Sequence, residues 1–142
     1  MFMERPRTGA VRPLVLIADG HEDTRELYSV ALTMLGFETL TVDDSKLAFE
    51  RARDMHPAVI VTEIVFPRHD GWSLVDALKH DDRTRDIPIV VLTGHAAASV
   101  RERATREGCA AWLIKPYLPD ELAHALHEVL GPPLHAPASL RR

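Results

Sequence analysis

The chain has 142 residues, of which 46% are hydrophobic and 27% are charged, and its net charge is −4 with histidine neutral. These values are typical of one globular domain with a single core, and they argue against a disordered or fibrous protein. Basic residues are interspersed with acids. The sequence therefore lacks the concentrated positive charge of a chain that binds nucleic acid by itself.

The sequence also argues against a membrane-spanning protein and against a secreted one. No segment approaches the roughly 20 apolar residues that a membrane span needs, and the N-terminus lacks the apolar stretch of a signal peptide. We therefore expect a cytoplasmic protein.

The single cysteine, Cys109, has no Cys or His neighbour at zinc-ligand spacing, so we interpret it as a small side chain beside Gly108.

The chain begins its regular structure with a strand and a helix. Residues 13–18 form an unbroken apolar run that suits a strand buried on both faces. Residues 22–35 place apolar side chains at helical spacing, with two acids in the first turn and Gly36 as a C-terminal stop. This is one strand–helix unit.

The same alternation recurs four more times. Predicted strands and helices follow in the order strand 37–42, helix 45–53, strand 58–62, helix 71–80, strand 88–92, helix 98–107, strand 111–114 and helix 119–130. Asp70 is the expected N-cap of the third helix. The pattern predicts one α/β domain over residues 13–130 with a parallel sheet covered on both faces, and tails over residues 1–12 and 131–142.

Polar side chains follow four of the five strands. They are Asp19 after the first, Glu63 after the third, Thr93 after the fourth and Lys115 after the fifth. Because reactive groups in open parallel sheets collect at the carboxyl ends of the strands, we expect these side chains to meet in one shallow pocket.

These residues stand in motifs that resemble the receiver domain of response regulators. The chain has Asp19-Gly20, then Glu63-Ile64-Val65-Phe66-Pro67-Arg68-His69-Asp70-Gly71, then Leu92-Thr93-Gly94-His95, and finally Trp112-Leu113-Ile114-Lys115-Pro116. The resemblance covers residues 13–130. It implies a single doubly wound (βα)5 flavodoxin-like fold with strand order 2-1-3-4-5. It also implies phosphoryl transfer from a kinase phosphohistidine to the acceptor carboxylate, with Mg²⁺ shielding the oxygens.

The chain departs from the receiver pattern at two positions. The family has a second, metal-binding acid after the first strand, where this chain has Gly20, and an acceptor Asp where this chain has Glu63. The extra methylene moves the carboxylate by about 1.5 Å, and misplacement of about 1 Å already costs around 100-fold in rate. Asp19 and Glu63 remain weak candidate Mg²⁺ ligands, and we predict no required metal or cofactor.

The longer side chain of Glu63 leaves two conformational outcomes open. Its carboxylate extends towards the expected place of the phosphate oxygens, within reach of Lys115 and Thr93, and so it imitates a phosphorylated acceptor with less charge. Equally, the pocket is inert or used differently, because desolvation can cancel such contacts.

Several candidate site residues can each be interpreted in two ways. Asp19 is either a pocket acid or a cap for the next helix, and Glu22 and Asp23 are better explained by the helix dipole than as replacements for the missing acid. His21 and His69 are simpler as surface groups than as a metal-binding or pH-sensitive pair.

The resemblance also assigns a switch pair and a backbone feature. Thr93 and Trp112 correspond to the family's hydroxyl and aromatic switch, although plain packing also explains a buried tryptophan. Pro116 is the candidate for a cis peptide bond after Lys115.

The preferred function is therefore that of a stand-alone receiver-like protein of bacterial two-component signalling that is independent of phosphorylation. We expect no enzymatic activity and no output domain. The partner is another signalling protein, or a second copy, bound through the face of helix 4, strand 5 and helix 5. The alternative is a weakly phosphorylatable, Mg²⁺-dependent regulator. A nucleotide binder or hydrolase is disfavoured because no glycine-rich phosphate loop or nucleophile motif follows any strand.

Overall fold

A computed structural model describes residues 12–67, 70–95 and 98–131. The strands are β1 (Leu14–Ala18), β2 (Glu38–Val42), β3 (Val59–Thr62), β4 (Ile89–Thr93) and β5 (Ala111–Ile114). The helices are α1 (Glu22–Met34), α2 (Ser45–Met55), α3 (Gly71–Lys79), α4 (Ala98–Arg106) and α5 (Pro119–Leu130). The predicted tails fall almost wholly outside the described residues, so their assignment stays a prediction.

The five strands form one parallel sheet in the order β2-β1-β3-β4-β5, which confirms the predicted fold class. The chain moves outward from β1 to β2 and then crosses back to β3 on the other side of β1. The strand order thus reverses between β1 and β3. In open α/β sheets, binding sites form outside the carboxyl ends of the strands at this reversal.

Helices bury both faces of the sheet, which explains why the strands are apolar without alternation. Leu16 and Ile60 lie in one core cluster with side chains of α2, α3 and α4, while Val15 and Val61 lie in the other with side chains of α1 and α5. Successive side chains of each inner strand therefore enter different cores. No helix in the described ranges has the length and apolar character to cross a lipid bilayer.

The element bounds differ from the predicted ones by at most two residues. The largest difference is at α2, which continues to Met55, and its C-cap His56 adopts a left-handed conformation with φ of 49°. Pro57 follows directly and cannot continue a helix, so it, rather than any feature near residue 53, ends α2. Gly36 and Gly108 have φ of 103° and 83° after α1 and α4, in keeping with their predicted roles as helix stops.

Candidate functional site

Three charged side chains from the ends of three strands meet at the carboxyl edge of the sheet. The ammonium nitrogen Nζ of Lys115 lies 2.7 Å from Oδ2 of Asp19 and 3.1 Å from Oε2 of Glu63. Asp19 follows β1, Glu63 follows β3 and Lys115 follows β5. We call these three residues the acid–lysine cluster. The sequence predicted that they would lie together, and the sheet brings them within direct contact.

Extended sheet hydrogen bonding holds the backbone of each member in place. The amide of Asp19 donates to the carbonyl of Val42 (3.1 Å), and that of Glu63 donates to the carbonyl of Ala18 (2.9 Å). The amide of Lys115 donates to the carbonyl of Thr93 (2.8 Å). The backbone of the cluster is thus attached to the sheet at three points.

The cluster is withdrawn from solvent, which strengthens its electrostatic interactions. Asp19 and Glu63 are only 3% and 5% exposed. Burial disfavours the charged form of Lys115, but hydrogen bonds and Coulombic attraction from Asp19 and Glu63 outweigh it, so the pKa of Lys115 is raised above its ordinary value. Two carboxylates therefore share one ammonium ion.

The second carboxylate oxygen of Glu63 turns back onto its own chain. Oε1 accepts a hydrogen bond from the backbone N–H of Ile64 at 2.8 Å and a longer one from Val65 at 3.4 Å. The predicted reach to Lys115 is present. No hydrogen bond joins Glu63 to Thr93 among the described residues, where the Thr93 hydroxyl instead accepts from the amide of His95 at 3.1 Å. One of the two predicted contacts of Glu63 is therefore present, and its imitation of a phosphorylated acceptor stays a prediction.

Asp19 uses its two oxygens for different partners. Oδ2 binds Lys115, whereas Oδ1 accepts from the backbone amide of His21 at 2.9 Å and lies 3.2 Å from the ring nitrogen Nδ1 of the same residue. The N-cap position of α1 is His21, not Asp19. Asp19 is thus a pocket acid that also fixes the turn into α1.

Three other residues considered from the sequence, His21, Glu22 and Asp23, lie outside the cluster. Glu22 and Asp23 occupy the first turn of α1 and are exposed, as the helix-dipole interpretation expects. The side chain of His21 is 74% exposed beside Asp19. His69 lies outside the described residues.

The cluster fits poorly with the Mg²⁺ that the receiver pattern implies. Gly20 supplies no ligand, and a Cβ built there would lie 2.9 Å from Cδ of Pro67, so any side chain at this position would displace the proline ring. Lys115 already pairs with both candidate carboxylates. Within the described ranges, no three His, Cys, Asp or Glu side chains are grouped as a metal site. A Mg²⁺ ion would have to compete with the ammonium for its ligands.

A close backbone approach positions the loop after Glu63. The amide of Gly71 donates to the carbonyl of Ile64 at 2.8 Å, and a Cβ at Gly71 would lie 2.5 Å from Cα of Ile64. Asp70 caps α3 by accepting from the amide of Trp72 at 2.8 Å, as predicted. Glycine is therefore required at position 71 because only it allows this contact.

Trp112 lies on β5, partly buried against the core that faces α4. The guanidinium carbon of Arg101 on α4 lies 5.5 Å from the centre of its ring, and Arg103 stacks in the same way on Trp72 at 4.9 Å. Both distances are within the usual range of cation–π contacts. No pattern in the sequence indicates either pair, since arginines on an exposed helix are common. The Lys115–Pro116 peptide bond is cis.

Two contacts that the sequence did not predict tie α1 to the cluster. The Tyr28 hydroxyl donates to the carbonyl of Tyr117 at 2.5 Å, two residues after Lys115, and the Arg25 guanidinium donates to the backbone carbonyl of Asp19 at 2.9 Å. The sequence identified Tyr28 only as an apolar helix position. Because the first contact spans 89 residues, no local pattern indicates it.

Comparison with known proteins gives a consistent result. The response regulator receiver domain family matches residues 15–127. The phosphate regulon transcriptional regulatory protein PhoB of Pseudomonas aeruginosa is 33% identical over 116 residues, which cover 82% of this chain and 51% of PhoB. The polar-differentiation response regulator DivK of Brucella ovis is 28% identical over 117 residues, covering 82% of this chain and 95% of DivK.

Solved structures share the same architecture. The chemotaxis response regulator CheY4 of Vibrio cholerae superimposes with a TM-score of 0.78 at 27% identity, covering 84% of this chain and all of CheY4. A sensor protein from Polaromonas sp. JS666 gives a TM-score of 0.78 at 30% identity, with 84% and 97% coverage. This chain spans about half the length of the PhoB relative.

Proposed function

Because the chain belongs to the response regulator receiver domain family, we propose that it is a signalling protein that works by protein contact without phosphotransfer. Receiver domains interact with other signalling proteins. The proposal adds that this one acts as a binding module rather than an enzyme, in the cytoplasm, and that its contacts do not depend on a phosphorylated acceptor.

The observation that carries the proposal is the bridging position of Lys115, 2.7 Å from Asp19 and 3.1 Å from Glu63. In-line attack on a phosphodonor needs a free, correctly placed carboxylate oxygen. One oxygen of Glu63 faces the ammonium ion and the other accepts from the Ile64 amide, and the side chain is 5% exposed. Attack would require breaking one of these interactions in a buried site.

The missing acid at Gly20 supports the same proposal. Without a second carboxylate after β1, the site offers fewer oxygen ligands for Mg²⁺, and the pyrrolidine ring of Pro67 fills the space where that side chain would begin. A divalent cation clamp lowers the barrier of phosphoryl transfer by neutralising charge on the transferred group. Here the residues that would hold it are reduced to two, and both are paired with Lys115.

The proposed contact surface is the face formed by α4, β5 and α5. Trp112 lies on its central strand, and Arg101 covers the ring from α4. The alternative occupant of this face is a second copy of the chain. In either case, binding through this face should be the same with and without a phosphodonor.

The alternative function is slow, Mg²⁺-dependent phosphorylation, because Glu63 occupies the acceptor position of the family and lies beside Lys115. In that alternative, Glu63 is phosphorylated slowly, with Mg²⁺ held by Asp19. It differs from the first function in one measurable respect, which is covalent modification of Glu63.

The test is intact-mass measurement after incubation with acetyl phosphate and Mg²⁺, with an unrelated active receiver domain as positive control. We expect no species heavier by about 80 Da, the mass added by one phosphoryl group. A stoichiometric adduct that disappears in Glu63→Ala would overturn the proposal in favour of the second function. Glu22→Ala is the matched control, since this acid is exposed on α1 and outside the cluster.

A further inference from the structure

The outer face of α1 carries an unusual concentration of exposed apolar side chains. Leu27, Val30 and Met34 are 55%, 56% and 80% exposed, and the C-cap residue Leu35 is 44% exposed. These are four of the seven exposed large hydrophobic residues in the described part of the chain. The other three, Met55, Val65 and Leu118, lie on separate elements. Scattered apolar side chains are normal on a surface, but a contiguous group on one helix indicates a contact surface.

The exposed residues form a continuous stripe along the helix. Each residue rotates an α-helix by about 100°, so positions 27, 30, 31 and 34 fall within an arc of about 100°. A shallow groove follows this arc, lined by Asp23, Glu26, Leu27, Val30, Ala31 and Met34. The opposite side of α1 is already used, because Tyr28 and Leu32 are buried in the core. The α1 helix thus packs on the core of its own chain through its other side, and the stripe takes no part in that packing.

The stripe is complementary to itself when two copies of α1 run antiparallel. Around a two-fold axis between Val30 and Ala31, Leu27 of each copy faces Met34 of the other, and Val30 faces Ala31. The long side chains thus meet at the ends, and the small alanine leaves room for close approach at the centre. Isologous two-fold contacts of this kind are the commonest in homo-oligomers.

The charges at the two ends of α1 differ in a way that favours the same orientation. Glu22, Asp23 and Glu26 lie exposed at the N-terminal end. At the C-terminal end, the Arg12 guanidinium donates to the carbonyls of Thr33 (2.6 Å) and Phe37 (2.9 Å). An antiparallel pair brings each acidic end towards the basic group of the other copy and also opposes the helix dipoles. Arg12 and Glu38 line the same shallow depression, so the charge contribution is modest and the apolar stripe dominates.

From these features we propose that the outer face of α1 is the contact surface for a second copy of this chain, with the two α1 helices antiparallel across a two-fold axis. A single 13-residue helix per protomer buries less than the roughly 800 Å² per partner of a stable interface. The dimer is therefore weak and concentration-dependent. It also leaves the face of α4, β5 and α5 free for a different partner.

The helix that carries the stripe also contacts the acid–lysine cluster. On the buried side of α1, Tyr28 donates to the carbonyl of Tyr117, and Arg25 donates to the carbonyl of Asp19. Association through α1 would thus restrain the helix whose side chains hydrogen-bond the backbone of Asp19 and Tyr117. This inference is independent of whether Glu63 accepts phosphate, because it rests only on the surface of α1.

Sedimentation equilibrium across a wide range of protein concentrations tests the association. We expect the apparent mass to rise from 15.9 kDa towards twice that value as concentration increases. Val30→Glu places a charge beside the axis in each copy, and the dissociation constant should increase at least about tenfold. Met55→Glu is the matched control, because it replaces an equally exposed apolar residue on α2 and should leave the dissociation constant unchanged.

A cross-linking experiment tests the orientation. In a Cys109→Ala background, copies carrying Leu27→Cys are mixed with copies of different mass carrying Met34→Cys, and the mixture is oxidised. An antiparallel pair should give the mixed cross-link in preference to either symmetric one. A mass of 15.9 kDa at every concentration, or a dimer that Val30→Glu leaves intact, would overturn the proposal. Preferred symmetric cross-links would overturn the antiparallel arrangement.

Discussion

Replacing Lys115 with methionine isolates the contribution of the acid–lysine cluster to stability. Methionine keeps most of the side-chain volume but leaves Asp19 and Glu63, at 3% and 5% exposure, without a counter-ion. Removing one partner of a buried ion pair costs about 3 to 5 kcal/mol. The Lys115 side chain is 20% exposed, so we expect the lower end, about 3 kcal/mol.

This loss corresponds to a decrease in Tm of roughly 6 to 12 °C, at about 2 to 4 °C per kcal/mol for a domain of this size. Urea unfolding at pH 7.5, followed by tryptophan fluorescence and far-UV circular dichroism, gives the free energy of unfolding. The matched control is Lys46→Met on the exposed side of α2, which should change that free energy by less than about 0.5 kcal/mol.

A double-mutant cycle with Glu63→Gln separates the charge effect from loss of packing. Glu63→Gln removes one of the two acids, so Lys115→Met should cost at least about 1 kcal/mol less in that background than in the wild type. If Lys115→Met costs under about 1 kcal/mol, or if the two changes add within about 0.5 kcal/mol, the cluster is not the coupled buried unit described above.

Three further predictions concern other features of the fold. Gly71→Ala should lower the free energy of unfolding by about 1 to 3 kcal/mol, because the new methyl group would overlap the backbone of Ile64. The control in the same urea assay is Gly94→Ala, which should be nearly neutral because no atom lies within 4 Å of the added methyl group. Since the pKa of Lys115 is raised on folding, its stabilising contribution is complete below about pH 10.5 and is lost as pH rises through the higher folded value. The difference in unfolding free energy between the wild type and Lys115→Met should therefore shrink at higher pH, and a constant difference would contradict this. Burial raises the pKa of Cys109 to about 11, so its reaction with a thiol reagent at pH 8 should be at least about tenfold slower in the folded chain than in urea, and equal rates would show that the thiol is not shielded.

The fold was predictable because its signals are local and repeated. Short apolar runs indicated the strands and apolar side chains at helical spacing indicated the helices, and the parallel sheet then followed from their alternation. The meeting of Asp19, Glu63 and Lys115 was predictable for a related reason, since the carboxyl ends of parallel strands share one edge. The predicted end of α2 was wrong by two residues because nothing before Pro57 prevents the helix from continuing.

What the sequence could not provide is the choice among contacts that are each chemically reasonable. Glu63 had Lys115 and Thr93 within expected reach, yet its second oxygen accepts from the amide next to it in the chain, a choice that depends on local backbone geometry. The bond from Tyr28 to Tyr117 depends on how α1 packs beside the loop before α5. The second pairing arises only when separate elements are placed together.

The close contact between position 20 and the ring of Pro67 bears on how this domain could change over time or under directed evolution. In a chain with Asp in place of Gly20, the new Cβ would lie 2.9 Å from Cδ of Pro67, so the proline ring would have to shift to accommodate the added side chain. Adding the acid that the receiver pattern has at this position would therefore involve two loops that are far apart in the sequence.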